Sequence, residues 1–346
     1  MRLETFAKKT FVALKNPFNT VKSVNALAID KVEQSFAKNN RAYYMGIKDT
    51  NVIPDSLISK MQDKGFLYHT KDVMSYGGRA IDINLKNPLT GSFMSGSSSG
   101  SALNVFYAIN DLAIASDGGG SVLAPAASLN LYSLISPLIE SGYVKQFNKT
   151  STDGISFSPS IGFITREFEE LKQAFESIFP LNSNCKNTEV LITDKSLEGI
   201  YKTSFDFLSE KLRSSGINIK TIKSPNIFDS RKDLISFLNQ ENLKNSLIIS
   251  IEGAIDVNGI GDTIFGHFDE RTKAIQQAGG KGFLRVVNMC KKSAIGIPMQ
   301  DLAISAFIIC ESDISEISKA FHIAQIIKTY RSKIVENYFS KLEMYL

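Results

Sequence analysis

The sequence predicts an α/β protein, and three observations predict it. Apolar strand-like runs alternate with stretches of helical periodicity through the first half of the chain. The 346 residues are 43% hydrophobic, enough for a substantial core in one large domain or two. No internal repeat or low-complexity tract interrupts the pattern.

In chain order, Val21, Val24, Leu27, Ala28, Val32 and Phe36 recur at helical spacing, predicting a helix over 20–40. Residues 42–48 read as a buried strand, 55–64 as a short helix, and Phe66-Leu-Tyr-His69 as the next strand. A helix over 100–109 and a strand over 112–116 follow, then an Ala/Leu-rich stretch and a helix over 167–179. The texture changes near residues 180–185. Glu189–Thr193 and Ile217–Ile222 are strand-like on either side of an amphipathic helix over 197–214. Phe228–Leu243 and Ser315–Tyr345 read as helices, and Gly279-Gly280 as a turn between two helices.

Charge and cysteine content exclude several classes. The chain carries 39 basic and 35 acidic residues, a net charge of +4, with no dense basic patch. Direct nucleic-acid binding by this chain is therefore not expected. Cys185, Cys290 and Cys310 have no metal-ligand spacing and are odd in number, which suits a reducing cytosol, so no metal is expected. The N-terminus lacks the apolar core of a signal peptide, and no apolar run reaches the ~18 residues of a membrane span. A cytoplasmic protein with no membrane association is the expectation.

The chemistry concentrates in two Gly/Ser-rich turns, Ser95-Gly-Ser-Ser-Ser-Gly-Ser101 and Ser116-Asp-Gly-Gly-Gly-Ser121. A flexible linker would not embed the apolar segments that lie between them. The Gly-Lys-Ser/Thr ending of a phosphate-binding loop is absent. Gly96-Ser97-Ser98-Ser99-Gly100 formally matches a nucleophile elbow, but His69, His267 and His322 are scattered and make a Ser-His-Asp set weak. Glycines that let backbone N–H groups face a ligand, next to hydroxyls, suit a serine nucleophile beside an oxyanion nest.

The two turns resemble the signature of the amidase signature family. Ser97 falls on that family's bridging serine, which carries a cis peptide, and Ser121 on its nucleophile. Gly46-Ile47-Lys48-Asp49 resembles the segment holding the family's lysine, making Lys48 the general base. Asn87-Pro88, Ser158–Arg166, and Ala324–Arg331 with Phe339 extend the likeness. The resemblance implies a mixed central sheet flanked by helices. It implies an amidase core over 1–180, an inserted smaller α/β region over 181–265 lying over the sheet, and a shortened C-terminal helical part over 266–346.

The implied activity is amide hydrolysis by a Ser-cisSer-Lys triad of Ser121, Ser97 and Lys48, with no cofactor. Gly118, Gly119 and Gly120 would form the oxyanion hole, and Ser98 and Asp117 would bind substrate. Lysine works as a base only when neutral, and burial near Met45 and Ile47 would lower its pKa from about 10.4. The sequence departs from the family pattern at Ser95 and Ser99, which replace glycines, at Leu123, which replaces arginine, and at a short end. The first functional expectation is the glutaminase subunit of a tRNA-dependent amidotransferase, taking glutamine or another small amide, with tRNA-binding subunits as partners. A free-standing small-amide amidase and a catalytically reduced scaffold are the alternatives.

Overall fold

Runs rich in Ile, Leu, Val and Ala supply eleven strands that pair into one sheet among the described residues. The computed structural model describes residues 2–151, 153–182, 188–228, 230–330 and 332–346. Cys185 and Arg331 lie outside these. In chain order the strands are β1 (Val21–Val24), β2 (Tyr43–Lys48), β3 (Phe66–Asp72), β4 (Leu112–Asp117), β5 (Tyr132–Ser136) and β6 (Ser160–Thr165). Then come β7 (Val190–Thr193), β8 (Ile219–Ile222), β9 (Leu247–Glu252), β10 (Ser293–Pro298) and β11 (Ser305–Cys310).

Their spatial order is β1-β3-β2-β4-β6-β5-β10-β11-β9-β7-β8. β3, β2 and β4 run parallel to one another, as do β9, β7 and β8. The strands between β4 and β9 pair antiparallel. The sheet is thus mixed, as expected. Central strands such as β6 and β11 are buried at every residue, the pattern of a sheet covered on both faces. The edge strands β1 and β8 are partly exposed and carry Lys22 and Lys220, which blunt the open edges.

Alternation along each strand divides the core into two layers. Leu112 and Ile114 join one cluster with helices Asp55–Asp63, Phe168–Glu176, Lys202–Ser214 and Ile314–Ile327. Ala113 and Ala115 face the other, with helices Ser99–Phe106, Leu123–Ser128 and Arg231–Leu238 and with Val12 of the N-terminal helix.

Three sequence expectations change. The helix over 20–40 is a strand at Val21–Val24, a 3-10 turn at Ala26–Lys31 and a helix only at Val32–Asn39. Pairing of Val21 with Asp72 and Val24 with Thr70 overrides the helical spacing. The strands of 181–265 do not lie over the sheet; they extend it, because the wholly buried β9 pairs with β11. The last helix breaks after Ile327, where Lys328 turns extended (φ −53, ψ 143). There the Thr329 carbonyl accepts from Tyr132 Oη at 2.5 Å and its hydroxyl donates to the Pro298 carbonyl at 2.7 Å, which takes this backbone out of the helix.

Candidate active site

The first Gly/Ser turn follows a short strand, Phe93–Ser95, and runs directly into helix Ser99–Phe106. Gly96 makes the bend at φ +71, and a Cβ there would stand 2.3 Å from Pro125 Cδ. Only glycine fits both demands. The turn is fastened by Gly96 N–H to the Ala80 carbonyl (2.8 Å), Ser75 N–H to the Ser97 carbonyl (3.2 Å), and Ser98 N–H to the Ser121 carbonyl (3.3 Å). The expected cis peptide at Ser97 is absent: the cis bond among the described residues is Gly253–Ala254. The positive φ of Gly96 already brings Ser97 into place with trans bonds.

The second turn leaves the end of β4. Asp117 is wholly buried, and its carboxylate accepts from the N–H groups of Gly120 (2.7 Å), Val122 (2.6 Å) and Leu123 (3.4 Å). Burial raises its pKa, against the three backbone bonds and the nearby Lys48. Asp117, expected to bind substrate, instead shapes the turn and does not line the cavity. Gly120 sits at φ +92 against Leu284, and its N–H donates to Asp117, while Gly118 and Gly119 line the cavity. Ser98 is also wholly buried, away from the cavity. Leu123, at the position of the family arginine, points into the core instead of the site.

Lys48 ends β2, next to β4, and is only 2% exposed. Its Nζ donates to Ser97 Oγ at 2.7 Å and to the Ser116 carbonyl at 3.2 Å. Burial pushes its pKa down to about 7; Asp117 opposes the shift and Lys149 adds to it. Asp49 faces away and pairs with Lys22 and Lys71. Lys48, Ser97, Ser121, Gly118 and Gly119 line one cavity of about 350 Å³. No hydrogen bond joins the Ser97 and Ser121 hydroxyls among the described residues.

This framework has known counterparts among solved structures. Native peptide amidase from Stenotrophomonas maltophilia superposes with a TM-score of 0.62 at 13% identity, over 93% of this chain and 94% of that one. One subunit of the glutamyl-tRNA(Gln) amidotransferase from Thermotoga maritima gives 0.59 at 15% identity, over 86% and 85%. The 6-aminohexanoate cyclic dimer hydrolase gives 0.59 at 13%, over 99% and 94%. The chain has the amidase signature fold. No family model and no curated protein matches its sequence, so the likeness is one of fold.

Within this amidase signature fold, much of the cavity wall comes from residues that sequence reasoning missed. Arg79 reaches across the mouth to Asp262, with Nε at 2.9 Å and a terminal nitrogen at 2.6 Å from the same carboxylate oxygen. Thr263, Ile264, Arg231, Lys149, Phe157 and Met289 are among the other residues of the wall. These residues follow no shared local motif, and no periodicity in the sequence marks them. None of the three histidines lines the cavity. His69 is buried, stacked on Tyr44, with Nδ1 2.8 Å from Asn110 Oδ1. Among the described residues, no helix is long and apolar enough to cross a membrane.

Proposed function

We propose that this chain hydrolyses a carboxamide through an acyl-enzyme on Ser121. The observation that carries the reading is a lysine held near neutrality, 2.7 Å from Ser97, in the cavity that Ser121 also lines. A serine hydroxyl attacks well only when a base takes its proton. In this mechanism Ser121 Oγ attacks the amide carbon while its proton passes through Ser97 to neutral Lys48. The oxyanion forms against the N–H groups of Gly118 and Gly119, donors each worth about 2.7–4 kcal/mol. The C–N bond then breaks as the proton returns through Ser97 to the leaving amine. Water attacks the acyl ester along the same proton path and releases the carboxylic acid. The Ser97–Ser121 contact has to tighten around substrate, as catalytic contacts commonly do.

Two narrower readings have support. The sequence likeness of Ala324–Arg331 and Phe339 to a late helix of the glutamyl-tRNA(Gln) amidotransferase A subunit, beside the fold likeness to that subunit, supports a glutaminase that supplies ammonia to a tRNA-dependent amidotransferase, with tRNA-binding subunits as partners. The fold likeness to peptide amidase supports a free-standing amidase equally. Ammonia release from glutamine and from small carboxamides is the test, with wild type and Ser121→Ala side by side. Release that survives in Ser121→Ala sinks the mechanism. Glutamine turnover only with partner subunits selects the first reading, and turnover of simple amides by the chain alone selects the second.

A further inference from the structure

A buried polar cluster behind the first turn takes no part in the proposed proton path. At its centre is Asp72, the last residue of β3, with no exposed surface. Its carboxylate accepts from Thr70 Oγ1 (2.6 Å), Ser101 Oγ (2.9 Å) and Asn104 Nδ2 (2.7 Å). Ser101 and Asn104 belong to helix Ser99–Phe106, which starts immediately after Ser97-Ser98. Asn104 is in turn fixed by Thr20, whose hydroxyl donates to Asn104 Oδ1 at 2.5 Å.

The other side of Asp72 faces the strand of Lys48. The two residues are partners in the β2–β3 register, and Asp49 N–H donates to the Asp72 carbonyl at 2.9 Å. Two residues before Lys48, a Cβ on Gly46 would stand 2.4 Å from Asp72 Oδ2 and 2.4 Å from Asn110 Nδ2. The carboxylate thus lies directly on the backbone that carries Lys48 while gripping the helix that follows the Ser97 turn.

We infer that Asp72 is a positioning residue, holding the Lys48 strand and the helix that follows the Ser97 turn at the separation that lets Lys48 meet Ser97. The inference rests on reading Lys48, Ser97 and Ser121 as the hydrolytic set. The Asp72 side chain suits the task because its two oxygens have about four lone-pair sites, enough for Thr70 of its own strand and two donors of the helix, and these bonds oppose the burial that raises its pKa to about 7. Burying such a group is costly unless those bonds are made, so the cluster tolerates little slack. The charged groups that face Lys48 itself are Asp117 and Lys149, and both would stay in place when Asp72 is changed.

The test is the rate at which a fluorophosphonate labels Ser121, followed across pH in Asp72→Ala, Asp72→Asn, Ser101→Ala and the double Asp72→Ala/Ser101→Ala. A misplacement on the order of 1 Å should slow Asp72→Ala roughly 10- to 100-fold. Its pH for half-maximal labelling should move upward as water reaches Lys48. Asp72→Asn keeps the volume and one acceptor oxygen, and should recover part of the rate. The double variant should be no slower than Asp72→Ala, the sign that the two residues act through each other. Should Asp72→Ala not fold, Ser101→Ala removes one hydroxyl from the helix and carries the same expectation of a slower rate and a raised pH midpoint. Folded variants that keep the wild-type rate and pH midpoint, with only a lower unfolding midpoint, overturn the inference. A wild type whose Ser121 takes no label refutes the hydrolase reading itself, and the inference with it.

Discussion

Replacing Lys48 by methionine should stabilise the protein while disabling it. The substitution keeps an apolar stem in a buried site and removes the amine. Burial lowers the Lys48 pKa from 10.5 to about 7, so an unfolded chain holds a proton that the folded chain releases over that interval. Stability therefore rises with pH between about 7 and 10.5, and below 7 the fold carries the whole penalty, about 5 kcal/mol. Methionine carries none of it. Against this stand the lost bonds to Ser97 and the Ser116 carbonyl, together about 1–3 kcal/mol. The variant should gain roughly 2–4 kcal/mol at and below pH 7, and the gain should vanish or reverse as pH approaches the ordinary lysine value. Hydrolysis should fall about 100- to 10,000-fold, the contribution of a general base. Urea unfolding at several pH values, beside ammonia release or fluorophosphonate labelling, reads both effects. A stability difference independent of pH would refute the buried neutral lysine. Near-normal turnover would refute its role as base.

Two further perturbations test the scaffold of the site. Gly96→Ala places a Cβ 2.3 Å from Pro125 Cδ at a φ of +71. It should cost about 2–4 kcal/mol in urea unfolding and slow labelling of Ser121; an unchanged midpoint would mean that the bend is not the one described. Glu252 is wholly buried, and burial raises its pKa from 4.5 to about 7, against the N–H bonds from Gly282 and Leu284. The folded state holds the extra proton, so stability should fall as pH rises from about 4.5 to 7, by about 3 kcal/mol from this group. Glu252→Gln should flatten that part of the profile, and a profile as steep as wild type would exclude the assignment.

The two turns and the residues beside them were legible in the amino-acid order. Glycine and serine spacing marks Gly96-Ser97 and Gly118–Ser121 because close backbone approach and positive φ are local demands, readable from a few neighbouring residues. Lys48 was picked out by the likeness of Gly46–Asp49 to the family segment; its burial was not decided by Met45 and Ile47, which alternate onto the opposite face of β2 and join the apolar layer there, while Lys48 meets Ser97 and the Ser116 carbonyl. The α/β alternation was readable for the same reason, since apolar spacing reflects the period of each element. Long-range packing set the rest. Val21–Val24 became a strand because β3 offered it partners, and β7 to β9 extended the sheet because β11 presented an edge to β9. Asp117 and Ser98 turned away from the cavity, since three backbone N–H groups claimed the carboxylate and burial claimed the hydroxyl. Arg79, Asp262, Arg231 and Met289 reached the site from distant parts of the chain. Neighbours so far apart in sequence leave no local pattern, because what brings them together is the packing of the sheet and the helices on its two faces.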